Sequence, residues 1–180
     1  MSKCNYIQAD IIETERLLVR KLTNDDFDTL LTIMGKPEVR YAWEHGFSED
    51  DVQDWIERQL VRYAKDGIGY FAVLQKESGQ LIGQAGLMKT TMNGNEVVEI
   101  GYIFDNTYWH NGYATEAAES LIAYAFDSLE LPAVYCSIRP ENKASIRVAK
   151  RLGMESCSSH IVVYRGKEKP HIIYKLKKPK

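Results

Sequence analysis

A chain of 180 residues is long enough to bury roughly two-thirds of its unfolded surface in one domain without covalent staples. Hydrophobic residues at 44% and charged residues at 27% describe an ordinary globular protein, and a net charge of −2 excludes the broad basic footprint that nucleic acid or an anionic membrane demands. Cys4, Cys136 and Cys157 form neither a disulfide framework nor a zinc-ligand spacing, and no run approaches the ~18 apolar residues of a membrane span. The expectation is a cytoplasmic monomer or homodimer with no metal, no nucleic-acid partner and no membrane partner. Cys136 and Cys157 fall in apolar, strand-like runs and are expected in the core.

No linker or repeat interrupts residues 1–180, which read as a single domain. Residues 11–21 open with strand character around Leu17 and Val19. The run Thr23-Asn24-Asp25-Asp26 offers caps and first-turn acids for a helix carrying Phe27, Leu30, Leu31 and Met34, which Gly35 and Pro37 stop. Ser48, with Asp51 three positions on, starts a second helix, whose Val52, Trp55, Ile56, Gln59, Leu60 and Tyr63 recur at three-to-four spacing. The period then shortens. Residues 70–75, 81–88 and 97–104 are β-branched and apolar runs separated by turn-forming stretches, an antiparallel meander. A helix over 115–128, a strand over 133–138, a helix over 142–152 ended by Gly153, and a hairpin of 159–164 with 170–176 complete the chain. The helical crossover from 97–104 to 133–138 sets those two strands parallel. The fold class is therefore α/β of the α+β mixed-sheet kind: a central, mostly antiparallel sheet with one parallel pair and helices on both faces.

The most informative stretch is Tyr108-Trp109-His110-Asn111-Gly112-Tyr113-Ala114-Thr115-Glu116-Ala117, between a strand and a helix. A tight turn there aims loop amides and the free amides of the helix start at one point, an anion cradle. The loop contains no Lys or Arg, so backbone donors are expected to carry the phosphate affinity. Glu116 and Glu119 would oppose it if they faced the anion.

This loop resembles the pyrophosphate loop of the GNAT N-acetyltransferases, Gln/Arg-x-x-Gly-x-Gly/Ala, here Trp109 to Ala114. The continuation through Thr115, Glu116 and Ala117 is similar to the ribosomal-protein N-terminal acetyltransferase branch. Glu15-Arg16-Leu17 ending at Arg20, Asn142-Lys143-Ala144-Ser145 and Leu152-Gly153-Met154 fit the same pattern in order. The resemblance implies an acyl-CoA N-acyltransferase fold and acetyl-CoA as acyl-donor co-substrate. Trp109, His110, Asn111, Gly112, Tyr113, Ala114 and Thr115 would hold the diphosphate. Tyr102, Ile103 and Phe104 would hold the pantetheine arm by main-chain bonds, with Asn142 as a further contact, provided that strand splays from residues 133–138. His110 stands where the branch commonly has Gly.

The implied reaction is direct attack of a primary amine, either a small molecule or a protein N-terminus, on the thioester. Glu99, a charge in an apolar strand, is the candidate general base. The family often supplies a Tyr acid seven positions after the last helix's Asn, but Ala149 is there, and Ser145 is the replacement the branch suggests. For the acceptor, the aromatic stretch 40–47 offers Tyr41 and Trp43 as contacts in a lid. The rival reading is a non-catalytic CoA-binding module of the same fold. A nucleotide-binding fold is disfavoured, because the Walker Lys and the Rossmann glycine spacing are absent.

Overall fold

A computed structural model describes residues 5–8, 11–41 and 44–180. Among the described residues nine strands form one sheet: β1 (Asn5–Gln8), β2 (Ile11–Glu13), β3 (Leu17–Lys21), β4 (Tyr70–Gln75), β5 (Leu81–Met92), β6 (Asn95–Phe104), β7 (Ala133–Ile138), β8 (Glu155–Tyr164) and β9 (Lys167–Lys177), in the spatial order 1-2-3-4-5-6-7-9-8. Every neighbouring pair is antiparallel except β6 with β7. That is the expected mixed sheet.

Alternation along the strands divides the core in two. One face packs under α4 (Tyr113–Asp127) and α5 (Lys143–Arg151), with Val19, Phe71, Ile100, Phe104, Val134 and Ile138 meeting Ala118, Leu121 and Ala149. The other face carries Tyr70, Ala72 and Ile103 against α1 (Phe27–Gly35), α2 (Pro37–Arg40) and α3 (Glu49–Asp66). Helices thus cover both faces. Among the described residues, none of these helices is long and apolar enough to cross a membrane.

Local chemistry accounts for most boundaries. Ser48 and Asp51 form a reciprocal capping box at the start of α3, a device worth about 1 kcal/mol. Arg20 grips the buried Asp26 with two bonds of 2.8 Å, and Asp26 also accepts from the Thr23 amide, so the turn into α1 is tied to β3. Gln59, fully buried, accepts the Tyr70 amide at 3.0 Å and donates to the Trp55 carbonyl at 3.1 Å, which removes the cost of an unpaired amide under α3.

Three expectations need correction. Pro37 ends α1 but also starts α2, because a proline is preorganised for a first helical turn whose amide needs no partner. Residues 11–21 hold two strands, β2 and β3, paired through the bend at Glu15 and Arg16. Cys136 is buried as expected, but Cys157 is exposed: it sits at an irregularity of β8, between the paired Ser156 and Ser158, on the outer strand of the sheet. Cys4 and Trp43 lie outside the described residues.

Candidate active site

The parallel pair β6–β7 shares a single ladder partnership, Glu99 with Tyr135. Outside it the described residues of the two strands share no ladder partner, while β6 stays paired to β5 from Asn95 to Phe104 without a break. The result is a wedge in an otherwise continuous sheet, the splay that strand addition by a cofactor arm requires. A cavity lies along it on each face.

On the α4–α5 face is a cleft of about 570 Å³, lined by Tyr102 and Phe104 of β6, by the loop into α4, and by α5. Gly112 is the N-cap of α4 with φ +80°, and having no side chain it leaves the first-turn amides without a side-chain cap. His110 also takes a left-handed backbone, φ +64°, so the turn a glycine would make survives at a cost of about 1–2 kcal/mol. Arg16 braces the loop: it donates to the Asn111 carbonyl at 2.9 Å, pairs with Glu116 at 2.7 Å and lies 4.5 Å from the centre of the Tyr113 ring.

Glu116 does not confront the cradle. It accepts from the Thr14 hydroxyl at 2.7 Å and the Arg16 amide at 2.9 Å. Burial would raise its carboxyl, but these bonds outweigh it and hold the group below its usual range. The loop itself has no cation, yet the fold brings three to the same cleft: Lys143, Arg147 and Arg151, spaced at i, i+4 and i+8 along one side of α5. Backbone amides are therefore not the cleft's only anion-binding groups, and that spacing was the overlooked signal.

The other expected donor-site residues gather here too. Trp109, His110, Tyr113, Ala114, Thr115, Asn142 and Ser145 line the cleft. Asn142 caps α5 by accepting the Ser145 amide at 3.1 Å. The Ser145 carbonyl accepts the Tyr102 hydroxyl at 3.0 Å, a tie across the wedge, and burial pushes that phenol's pKa up. The Trp109 indole donates to the Phe104 carbonyl at 2.9 Å, so of the three residues expected to hold the arm, Phe104 has already committed its acceptor. Tyr41 lines this cleft and donates to the Glu141 carbonyl at 3.2 Å, which places it on the donor side. Ala149 is fully buried in the core.

On the α1–α3 face a second chamber of about 310 Å³ opens onto Glu99, Ser137, His160 and His171. Glu99 accepts the Ser137 amide at 3.2 Å. Burial pushes its carboxyl up to about 7, against a smaller pull downward from that bond and from Arg62 of α3. Tyr70 of β4 reaches across the sheet to this point. A Cβ on Gly101 would meet its hydroxyl oxygen at 2.1 Å, so glycine is needed two residues beyond Glu99. Ser137 Oγ lies 2.7 Å from His160 Nε2, and the two histidine rings meet edge-on at 6.1 Å. His160 and His171 look scattered in the sequence; the pairing of β8 with β9, which sets them opposite one another, brings them to Glu99. Among the described residues no group of His, Cys, Asp or Glu could hold a metal ion.

Comparison with known proteins identifies the family and the fold. Residues 16–155 match the acetyltransferase (GNAT) domain family. The N-acetyltransferase p20 of Bacillus licheniformis, itself uncharacterized, is 32% identical over 149 residues, covering 81% of this chain and 83% of that protein. The crystal structure of a GNAT-family acetyltransferase from Bacillus anthracis is 25% identical and superposes with a TM-score of 0.80 over 93% of this chain and 98% of that one. MccE, a microcin C7 self-immunity acetyltransferase solved with acetyl-CoA and AMP, shares the fold at a TM-score of 0.76 and 15% identity, covering 91% of this chain and 93% of its own.

Proposed function

Because this chain belongs to the GNAT acetyltransferase family, we propose that it moves an acetyl group from acetyl-CoA to a primary amine by direct attack on the thioester. The observation that carries the reading is the wedge between β6 and β7, with a cleft for a phosphorylated donor on one face and a carboxyl of raised pKa on the other. The acetyl-CoA bound to MccE, on the same fold, supports the choice of donor.

In this reading the amides around Gly112, with Lys143, Arg147 and Arg151 at the rim, take the phosphates, and the arm adds to the free edge of β6 at Tyr102 and Ile103. Glu99 accepts the amine proton, the nitrogen attacks the carbonyl carbon, and the C–N bond forms as the C–S bond breaks. The departing thiolate takes its proton from the donor side, where Ser145 is the hydroxyl we assign to it. Thiolates leave readily, so Ser145→Ala lowers kcat less than loss of the base. The whole chain acts as one catalytic unit, in the cytoplasm.

Two measurements test this. Calorimetry detects acetyl-CoA binding to the purified protein, and thiol release with an amine panel detects transfer. Glu99→Gln lowers kcat by about 10²–10⁴ while leaving acetyl-CoA affinity unchanged. In the parent protein, kcat/KM rises with pH through a limb near 7, where Glu99 loses its proton under the influence of Arg62, Tyr70, Cys136, Ser137, His160 and His171. Persistence of that limb in the Gln variant rules Glu99 out as the base.

A further inference from the structure

Tyr70 of β4 spans the sheet beneath α3. It is the ladder partner of Gly86 on β5, and Gly86 is the partner of Gly101 on β6, so the three stand in a row across the strands. Neither glycine has room for a side chain. A Cβ on Gly86 would come within 2.5 Å of Tyr70 Cα, and one on Gly101 would strike the Tyr70 hydroxyl oxygen. The ring therefore lies over β5 and delivers its hydroxyl to β6, on the face that carries Glu99 two residues away. Its seat is fixed at several points. The Tyr70 amide donates to Gln59 at 3.0 Å, its carbonyl accepts the Tyr63 hydroxyl, and its ring meets that of Trp55 at 4.9 Å. Trp55 in turn donates to the buried Gln84 at 2.8 Å.

These bonds use the main chain and the ring, and the hydroxyl has no hydrogen-bond partner among the described residues. A buried tyrosine ordinarily gives its hydroxyl a partner, and phenylalanine would fill the same volume without needing one. The groups near that oxygen flank the wedge: burial first, then Glu99 of β6 and Cys136 of β7, push the phenol's pKa up against a pull from Arg62. It thus stays a neutral donor. In the proposed binding mode the diphosphate sits at Gly112, past the Phe104 end of β6, and the arm runs back along Ile103 and Tyr102 toward the closed end of the wedge at Glu99. The thioester is the end of the arm farthest from the diphosphate, so it arrives at Gly101, under the Tyr70 hydroxyl.

We propose that Tyr70 is a further catalytic residue, whose hydroxyl donates a hydrogen bond to the thioester oxygen and holds the negative charge that gathers there as the amine attacks. This rests on the acetyltransferase reading above. As the C–N bond forms, the carbonyl π pair moves onto oxygen, where the Tyr70 O–H faces it; the pair returns as the C–S bond breaks, and Tyr70 keeps its proton throughout. A donor held in place by the fold needs no rearrangement when that charge develops.

The test is Tyr70→Phe in the full chain, which removes the hydroxyl and keeps the ring. Thiol release from acetyl-CoA is measured with the fastest amine of a panel of diamines, amino alcohols, amino acids and tetrapeptides. The variant is expected to lose about 10²-fold in kcat, with acetyl-CoA affinity, Tm and the pH limb near 7 at the parent values. Infrared spectra of bound, isotope-labelled acetyl-CoA are expected to show the thioester carbonyl stretch at lower frequency in the parent than in the variant, which a purely structural tyrosine would not produce. An unchanged kcat or an unmoved carbonyl band overturns the inference and leaves the acetyltransferase intact. A displaced pH limb with the plateau kcat preserved also overturns it, because Tyr70 would then act through Glu99. A parent protein that binds acetyl-CoA and transfers to no amine of the panel overturns the acetyltransferase reading, and the catalytic role of Tyr70 with it.

Discussion

Glu99 is an acid the fold works against. Its carboxyl rises from an ordinary 4.5 to about 7 because folding removes it from water. An acid with a raised folded pKa leaves stability untouched below about pH 4.5, where it is neutral folded or unfolded. It erodes stability between 4.5 and 7 and carries the full cost above 7, about 3 kcal/mol for a shift of this size. Glu99→Gln therefore raises Tm at pH 8 by several degrees and leaves it unchanged at pH 4, as thermal melts at the two values would record. An equal gain at both pH values would show that the substitution acts by packing instead. In the proposed reaction the same variant loses turnover, so the side chain that is unfavourable for the fold is the one to which the proposal gives the chemistry.

At the level of elements, the loop into α4 is held from outside itself. Arg16, at the head of β3, bonds the Asn111 carbonyl, Glu116 and the Tyr113 ring face, so a residue far away in the chain sets the loop's shape. Arg16→Ala is expected to weaken acetyl-CoA binding about five- to ten-fold by calorimetry with kcat at saturating donor nearly unchanged; a fall in kcat alone would place Arg16 in the chemistry. Strands β4 and β7 and helix α3 were legible because their apolar period and caps are local, and the loop because its glycine and helix start are adjacent in sequence. The longer ends of β5, β6, β8 and β9 were not, since exposed hairpin tips carry no apolar alternation. Cys157 misled because its neighbours Glu155, Ser156, Ser158 and Ser159 are polar, and the outer strand β8 leaves this whole stretch exposed. Lys143, Arg147 and Arg151 could have been found by their four-residue spacing. His160 and His171 could not: their nearness to Glu99 is created by the order in which β7, β9 and β8 assemble.

For the molecule as a whole, the wedge divides the sheet into two halves joined at β6 and β7 by one backbone partnership and, above it, by the Tyr102 bond to α5. Strand β6 is consequently laddered along one edge and bare along much of the other. Amides of residues 100–104 that point toward β7 lie beyond that one partnership and are expected to exchange freely when the donor cleft is empty. Deuterium uptake followed residue by residue would find them labile within a strand whose β5-facing amides are slow, and acetyl-CoA would slow them selectively. Uniform protection along β6 without ligand would contradict the divergence of the two strands. Under the proposed binding mode the donor's arm supplies the partners that β7 does not, so a gap that costs the sheet part of its cohesion becomes a gauge of occupancy, written in the isotope content of a few peptide nitrogens.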